Sequence, residues 1–162
     1  MDREMIIHPF EPFVRPDSEI LILGSFPSRA SREQGFYYGH PRNRFWTVLA
    51  RVSGEETPRT IEQKTAFLTR HRIALWDVIS SCEIRGSSDA SVRNAVPADI
   101  SGLLASAPIR KIYCNGVLAG RLFLRYQTKP DMPEMTVIPS TSPANASFSV
   151  QRLIQCWNII LG

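Results

Sequence analysis

The sequence predicts an α/β fold with a central parallel sheet, and two observations carry this prediction. Four short apolar runs of strand length occur along the chain, and segments with apolar residues at helical spacing lie between them. Regular alternation of strands and helices favours parallel strands whose connecting helices cover both faces of the sheet. We therefore expect a three-layer α/β/α sandwich with a central four-stranded parallel sheet.

Each candidate strand is a compact apolar run that a polar or turn residue closes. The first run ends at Gly24, and the second is followed directly by Asp77. The segment from Ser80 to Ala95 is polar, and we expect it to be a loop. The four predicted strands are Ile20–Leu23, Ile73–Trp76, Ile109–Cys114 and Met135–Ile138.

The candidate helices have apolar residues three or four positions apart, and a long loop from Ser25 to about Arg42 precedes the first of them. Thr57-Pro58 is typical of a helix start, since threonine caps the first turn and proline fits its first position. Asn115-Gly116 is expected to lead into a helix that ends near Tyr126. The other helices are marked by Phe45, Leu49 and Val52; Ile61, Thr65 and Leu68; Ile100, Leu103 and Leu104; and Val150, Leu153, Ile154, Trp157 and Leu161.

Length and composition indicate one globular domain, residues 1–162. A chain of 162 residues with 43% hydrophobic and 21% charged residues can bury a core without a disulfide or metal. The three cysteines and three histidines lack metal-ligand spacing, so we expect no metal and no cofactor. The N-terminus lacks a signal-peptide pattern, and no apolar run reaches the roughly 20 residues of a membrane span. We expect a cytoplasmic protein that does not interact with membranes.

The charge permits a nucleic-acid partner without requiring one. The net charge is +4, and the basic residues are 16 arginines and only 3 lysines. Arginine suits two-pronged contacts with phosphate, so this excess fits DNA or RNA binding. Codon usage in a GC-rich genome explains the same excess equally well.

In parallel α/β sheets, ligands bind beyond the carboxyl ends of the strands, so the residues at those positions are the first candidates for a site. The first strand is followed by Gly24-Ser25-Phe26-Pro27-Ser28. This stretch is neither a phosphate-binding Walker loop nor the G-x-S-x-G turn of serine hydrolases. A tight polar turn is one interpretation, and Ser25 could act as a nucleophile only beside a base.

An aromatic and basic stretch follows, Tyr38-Gly39-His40-Pro41-Arg42-Asn43-Arg44-Phe45-Trp46. Aromatic rings interleaved with arginines can stack on bases and contact phosphates. The simpler interpretations are that Asn43 caps the next helix and that His40 is an ordinary loop residue.

Two further strand ends carry polar groups. Asp77 either caps a turn or accepts an N–H from a ligand. The uncharged stretch from Pro139 to Ser147 has four hydroxyls, which with backbone N–H groups can contact phosphate oxygens. An ordinary turn before the last helix is the alternative interpretation.

Taken together, these motifs resemble the uracil-DNA glycosylase superfamily, from Ile20 to the last helix. Gly24-Ser25-Phe26-Pro27-Ser28 is similar to the G-x-x-P-[GS]-like loop after the first strand. The stretch from Tyr38 to Trp46 is similar to the aromatic-x-His-Pro-x-Asn-x-Phe-Trp stretch of the mismatch-specific members. Ser142-Pro143-Ala144-Asn145 is similar to the Ser-Pro DNA loop near the end of these enzymes.

Two departures narrow the resemblance. The mismatch-specific enzymes have a catalytic asparagine where this chain has Phe26, and many relatives have a histidine where it has Ser140. The combined pattern is similar to the hypoxanthine-DNA glycosylase (DNA-deoxyinosine glycosylase) branch, in which the catalytic asparagine corresponds to Asn43. Loss of the histidine puts histidine-assisted departure of the base in doubt.

The resemblance implies a monofunctional DNA glycosylase of base excision repair that acts, as a monomer, on DNA containing a deaminated base. Asn43 is expected to position the attacking water, and hypoxanthine is the favoured base. The expected base-binding residues are Ser25, Phe26, Tyr38 and Asp77. The expected DNA-contacting residues are Ser28, Arg42, Arg44, Ser140, Ser142, Pro143 and Asn145.

Other functions remain open at this point. A uracil-specific or G:U/T mismatch-specific glycosylase is one alternative, because hypoxanthine and uracil both present one carbonyl beside one N–H. A non-catalytic nucleic-acid-binding module on this fold is an alternative in which Phe26 marks lost catalysis. A serine hydrolase that uses Ser25 is a third. The three lysines, Lys64, Lys111 and Lys129, lie outside the motifs, which disfavours a Schiff-base lyase.

Overall fold

A computed structural model describes residues 4–84, 93–127 and 129–161. Within these ranges, no helix is long and apolar enough to cross a membrane. The strands are β1 (Glu4–Ile7), β2 (Ile20–Gly24), β3 (Ile73–Asp77), β4 (Ile79–Ile84), β5 (Arg93–Pro97), β6 (Lys111–Asn115) and β7 (Met135–Ile138). The helices are α1 (Arg29–Gln34), α2 (Phe45–Ser53), α3 (Ile61–Arg70), α4 (Ile100–Ser106), α5 (Val117–Tyr126) and α6 (Val150–Trp157), and a 3₁₀ turn (Asn158–Ile160) follows α6.

The centre of the fold is a four-stranded parallel sheet in the order β3-β2-β6-β7. In the register of this sheet, Ile22 of β2 lies between Leu75 of β3 and Tyr113 of β6. Because all four strands run the same way, their carboxyl ends lie along one edge. This arrangement confirms the predicted fold class.

Alternate residues of β2 pack into two separate cores, one on each face of the sheet. Ile20 and Ile22 belong to the core that contains the side chains of α2, α3 and α6. Leu21 and Leu23 belong to the core that contains those of α4 and α5. The last helix contributes the fully buried Trp157, whose indole N–H donates to the carbonyl of Pro139 at 2.9 Å. That bond ties the loop after β7 to the helical layer.

The expected loop from Ser80 to Ala95 is wrong in part. β4 and β5 pair antiparallel and, with β1, form a small second sheet in the order β1-β4-β5. Its register shifts at two places between Ile79 and Glu83, and such bulges break the alternation by which a half-buried strand is recognised. Residues 85–92 of the expected loop lie outside the described residues.

Two helix starts also differ from the expectation. α3 begins after Thr60 rather than at Thr57-Pro58. The hydroxyl of Thr60 accepts from the backbone N–H of Gln63, whose side chain accepts in return from the backbone of Thr60. This reciprocal capping box supplies partners for N–H groups that a helix start leaves open. The expected long loop after β2 contains the short helix α1. Ser28 caps this helix, because its hydroxyl accepts from the backbone N–H of Ser31.

Candidate active site

A cleft of about 900 Å³ opens at the carboxyl edge of the parallel sheet. The ends of β2, β3 and β6, the loop after β7 and the stretch before α2 form its walls. This is the place where parallel α/β sheets bind ligands. The lining side chains used below are Phe26, Tyr38, Asn43, Asp77, Asn115 and Thr141.

Asp77 places a carboxylate in this cleft although the residue is only 3% exposed. Its Oδ2 lies 2.7 Å from Nε2 of His8, whose side chain is also 3% exposed. The imidazole of His8 lies among the rings of Phe10, Phe26, Tyr37 and Trp76, at centroid distances between 4.3 and 6.1 Å. Oδ1 has no hydrogen-bond donor among the described residues. Asp77 therefore offers one oxygen to the cleft and keeps the other on His8.

Gly24 permits this arrangement because it has no side chain. A Cβ at this position would lie 2.5 Å from Oδ1 of Asp77 and 3.1 Å from the hydroxyl oxygen of Tyr38. The first of these distances is below any normal contact between a carbon and an oxygen. The strand-ending glycine thus lets a carboxylate and a phenol converge at one point of the cleft.

Tyr38 has an unusual backbone and an unusual environment. Its φ of 54° lies in the left-handed region, which is rare for a bulky residue. One ring face stacks on Phe45, with centroids 3.9 Å apart and planes 15° apart, so the other face is left for the cleft. The buried hydroxyl has no partner at hydrogen-bond geometry among the described residues. Burial, and then the charge of Asp77, raises the pKa of Tyr38, so the phenol stays protonated.

Asn43 lies across the cleft in a chain of side-chain hydrogen bonds. Its Oδ1 accepts from the backbone N–H of Phe45 at 3.0 Å and from the hydroxyl of Thr141 at 2.8 Å. Thr141 in turn accepts from Nδ2 of Asn115 at 3.0 Å, and the Thr141 backbone N–H donates to Asn115 Oδ1. Asn43 is therefore not the N-cap that the simpler interpretation expected, because Arg44 has that position; Asn43 accepts from the first N–H of α2 and is also oriented toward the loop after β7.

With this geometry in place, comparisons with known proteins identify the family. The model of the uracil DNA glycosylase superfamily matches residues 11–160. A protein of Methanosarcina acetivorans named hypoxanthine DNA glycosylase is 37% identical over 155 residues, which cover 91% of this chain and 94% of that one. A protein of the same name from Methanosarcina barkeri is 33% identical over 143 residues, which cover 84% of this chain and 86% of that one.

The fold is also similar to that of a solved structure. A solution NMR structure of a candidate uracil DNA glycosylase from Methanosarcina acetivorans superimposes with a TM-score of 0.79 at 34% identity, covering 96% of this chain and 97% of that one. The chain belongs to the uracil DNA glycosylase superfamily. The resemblance read from the motifs is confirmed, and with it the expectation of a DNA glycosylase.

The side chain of Arg44 is bonded to the loop after β7. Its guanidinium donates to the backbone carbonyls of Thr141, Ser142, Asn145 and Phe148, with distances of 2.8 Å to Ser142 and 3.0 Å to Asn145. A guanidinium has five N–H donors, and these four bonds use most of them. Arg44 therefore holds the loop after β7, and its expected contact with DNA stays a prediction.

The loop after β7 is internally bonded but open on its outer side. The hydroxyls of Ser140 and Ser142 accept from the backbone N–H groups of Ser142 and Ala144, and Asn145 donates to the Ser140 carbonyl. Pro143 is exposed at its tip. The expected DNA contacts of Ser140, Ser142, Pro143 and Asn145 stay predictions on a loop whose shape these bonds fix.

The remaining predicted residues lie at or near the cleft. Ser25 and Phe26 line it, and the guanidinium carbon of Arg32 lies 5.9 Å from the Phe26 ring centroid. Ser28 lines it too, although its hydroxyl already caps α1. Arg42 is exposed beside the cleft, and its side chain makes no hydrogen bond or ion pair among the described residues.

Sequence reasoning missed three residues that shape the site: His8, Asn115 and Thr141. His8 reaches Asp77 across 69 positions of sequence, and a single histidine in an N-terminal segment gives no local signal of such a contact. Asn115 and Thr141 both lie at strand ends, so the rule that singled out Asp77 also covers them. The sequence assigns Asn115 only to the turn before a helix, and Thr141 only to the stretch whose hydroxyls can contact phosphate.

Proposed function

We propose that this protein is a monofunctional DNA glycosylase that removes a deaminated base from DNA by hydrolysis, with hypoxanthine as the favoured base. The observation that carries the choice of a deaminated base is Asp77, whose buried carboxylate presents one unpaired oxygen to the cleft. The two Methanosarcina relatives named hypoxanthine DNA glycosylase support hypoxanthine as that base. We propose further that the chain acts as one domain and as a monomer.

Recognition follows from the edge of the base. Deamination of adenine converts an amino group beside a bare ring nitrogen into a carbonyl beside an N–H. The unpaired Oδ1 of Asp77 can accept that N–H, whereas a bare ring nitrogen would face it with a second lone pair. A mismatched polar edge leaves buried groups unpaired and costs about 1–3 kcal/mol for each group. The carboxylate therefore favours hypoxanthine over adenine, and uracil over cytosine.

Aromatic side chains form the binding surface for the flipped base in this proposal. Glycosylases turn the target nucleotide out of the duplex into a pocket and stack its base between rings. Tyr38 is covered by Phe45 on one face only, so a base stacked on its other face continues an existing pair of rings. Phe26 lines the same cleft and provides an apolar wall.

Asn43 is proposed to position the water that attacks C1′ of the sugar. The water oxygen bonds to C1′, the electron pair of the C1′–N bond leaves with the base, and the water loses a proton to solvent. An amide is a poor base, so Asn43 contributes by positioning rather than by proton removal. Its Oδ1 already accepts from Thr141, so the Thr141 hydroxyl must turn its proton away when water binds, which needs rotation about one bond.

The phosphate backbone is proposed to contact the rim of the cleft. Arg42 is exposed and directly precedes Asn43, which lines the cleft, and the loop after β7 adds the Ser142 hydroxyl and backbone groups. This division between one cation and uncharged donors predicts binding with moderate salt dependence.

An excision assay tests the proposal. The protein is incubated with labelled duplexes that contain deoxyinosine, deoxyuridine or no lesion, and abasic sites are then cleaved with alkali. We expect strand breakage at deoxyinosine and none in undamaged DNA. Faster breakage at deoxyuridine assigns the chain to uracil instead. Tight DNA binding without breakage at any lesion indicates a non-catalytic binding module.

A further inference from the structure

We propose that His8 determines the base preference of this site: it holds Asp77 as an acceptor that selects a ring N–H and rejects a bare ring nitrogen. His8 is a positioning residue in this role, since it acts on the substrate only through Asp77. The inference rests on the proposed function, because the preference is expressed in the excision of a base.

The position of His8 points to this role. It lies just after β1, in the small antiparallel sheet, and its backbone N–H donates to the carbonyl of Ser80 at 2.7 Å. That bond ties His8 to β4, the strand that follows Asp77 after a single residue. The side chain then reaches Oδ2 of Asp77, so the second sheet serves as a support for the carboxylate of the first.

The protonation of the imidazole follows from its surroundings. Nδ1 of His8 is buried and has no hydrogen-bond partner among the described residues. With the proton on Nε2, His8 donates to Asp77 and only a bare acceptor is left among the rings. With the proton on Nδ1 instead, a buried N–H would lie among the surrounding aromatic rings without an acceptor, and buried N–H groups without a partner are rare. The favoured arrangement therefore has Nε2–H donating to an ionised carboxylate.

This arrangement fixes the polarity of the oxygen that faces the cleft. An ionised carboxylate can only accept hydrogen bonds. Without His8, neither oxygen of Asp77 would have a donor among the described residues, and nothing would hold Oδ1 in place to accept a ring N–H. Hypoxanthine would then lose the hydrogen bond that distinguishes it from an unmodified purine, whose N1 is bare. His8 thus keeps the site selective for the edge that carries the N–H.

The test compares two bases that differ at this edge. Duplexes carry either deoxyinosine or purine 2′-deoxyriboside, which has a bare N1 and no group at C6, and excision is measured under single-turnover conditions. For His8→Phe, which keeps a ring but removes the donor, we expect the rate ratio of hypoxanthine to purine to fall at least tenfold. His8→Gln carries an N–H donor at a similar reach, and we expect it to restore most of the ratio.

His71→Phe is the matched control. His71 also pairs with a carboxylate, that of Glu55, but it lies before the amino end of β3, whereas the cleft lies at the carboxyl end. We expect this variant to keep the wild-type ratio. A His8→Phe protein that is folded, excises bases and keeps the wild-type ratio overturns the inference and leaves the proposed function intact. A wild-type protein that excises neither base overturns the proposed function and the inference together.

A second measurement needs no His8 variant. The ¹⁵N chemical shifts of the imidazole in the wild-type protein show which nitrogen carries the proton. A protonated Nε2 with a bare Nδ1 supports the inference, and the opposite tautomer overturns it. The measurement stands even if His8→Phe fails to fold.

Discussion

The two sides of the cleft satisfy their polar groups in opposite ways. On the Asp77 side, formed by His8, Gly24, Tyr38 and Asp77, three polar atoms lack partners among the described residues: His8 Nδ1, the Tyr38 hydroxyl and Oδ1 of Asp77. On the Thr141 side, formed by Asn43, Arg44, Asn115 and Thr141, side-chain oxygens and backbone carbonyls are bonded in a continuous network.

This difference indicates a division of labour. Unmade hydrogen bonds cost free energy, so they persist where a ligand can supply the partner. The left-handed backbone of Tyr38 adds strain on the same side. A saturated network instead holds groups in one geometry, which the positioning of a water molecule requires. We therefore propose that the Asp77 side reads the base and that the Thr141 side positions the nucleophile and the DNA loop.

The largest effect is expected from Asn43→Ala on the Thr141 side. The change removes the oxygen proposed to hold the water and frees the Thr141 hydroxyl. We expect single-turnover excision of hypoxanthine to fall about 100-fold or more, as misplaced nucleophiles do, with little change in DNA affinity. Excision at the wild-type rate would show that the Thr141 side does not position the water.

The next effect is expected from Asp77→Asn, which keeps the shape of the side chain. Nε2–H of His8 would draw the amide oxygen and leave the amide N–H donors facing the cleft. We expect hypoxanthine excision to fall about 10- to 100-fold, consistent with one or more unpaired buried groups. Purine 2′-deoxyriboside should be excised faster than by the wild type. Equal losses for both bases would show that the Asp77 side does not read polarity.

Arg44→Lys tests whether the loop depends on its guanidinium. Lysine keeps the charge but cannot reach four carbonyls at once, so several hydrogen bonds are lost. We expect the melting temperature to fall by roughly 5 °C and the KM for DNA to rise a few-fold. Arg42→Lys serves as the control for stability, since its side chain is exposed and unpaired, and it should leave the melting temperature unchanged.

The smallest effect is expected from Arg42→Gln at the rim. Loss of one phosphate contact should weaken binding of all sequences alike. The slope of log K against log salt concentration should fall by about one. A change in base preference without a change in this slope would contradict the assignment of Arg42 to the phosphate backbone.

A contrast between the two sheets explains which strands can be predicted from the sequence. The parallel sheet is predictable because its strands are buried on both faces and appear as apolar runs such as Ile20–Leu23. The second sheet is not, since β4 is polar and its bulges break the alternation near Ser81. Asp77, Tyr38 and Asn43 are predictable from strand ends and motifs.

The partners of these residues are harder to predict. His8 and Asp77 are 69 positions apart, and Asn43 and Thr141 are 98 positions apart. Each pair forms only because separate strand ends meet at one edge of the sheet. A single sequence shows which residues end strands, but it does not show which side chains contact one another there.

The most direct test of this account is a crystal structure of Asn43→Ala bound to a duplex that contains deoxyinosine. The account predicts a flipped hypoxanthine stacked on Tyr38, with its N1 about 2.9 Å from Oδ1 of Asp77, as expected for a hydrogen bond. Oδ2 should still be paired with His8. A flipped base whose N1 edge points away from Asp77 would contradict the central claim.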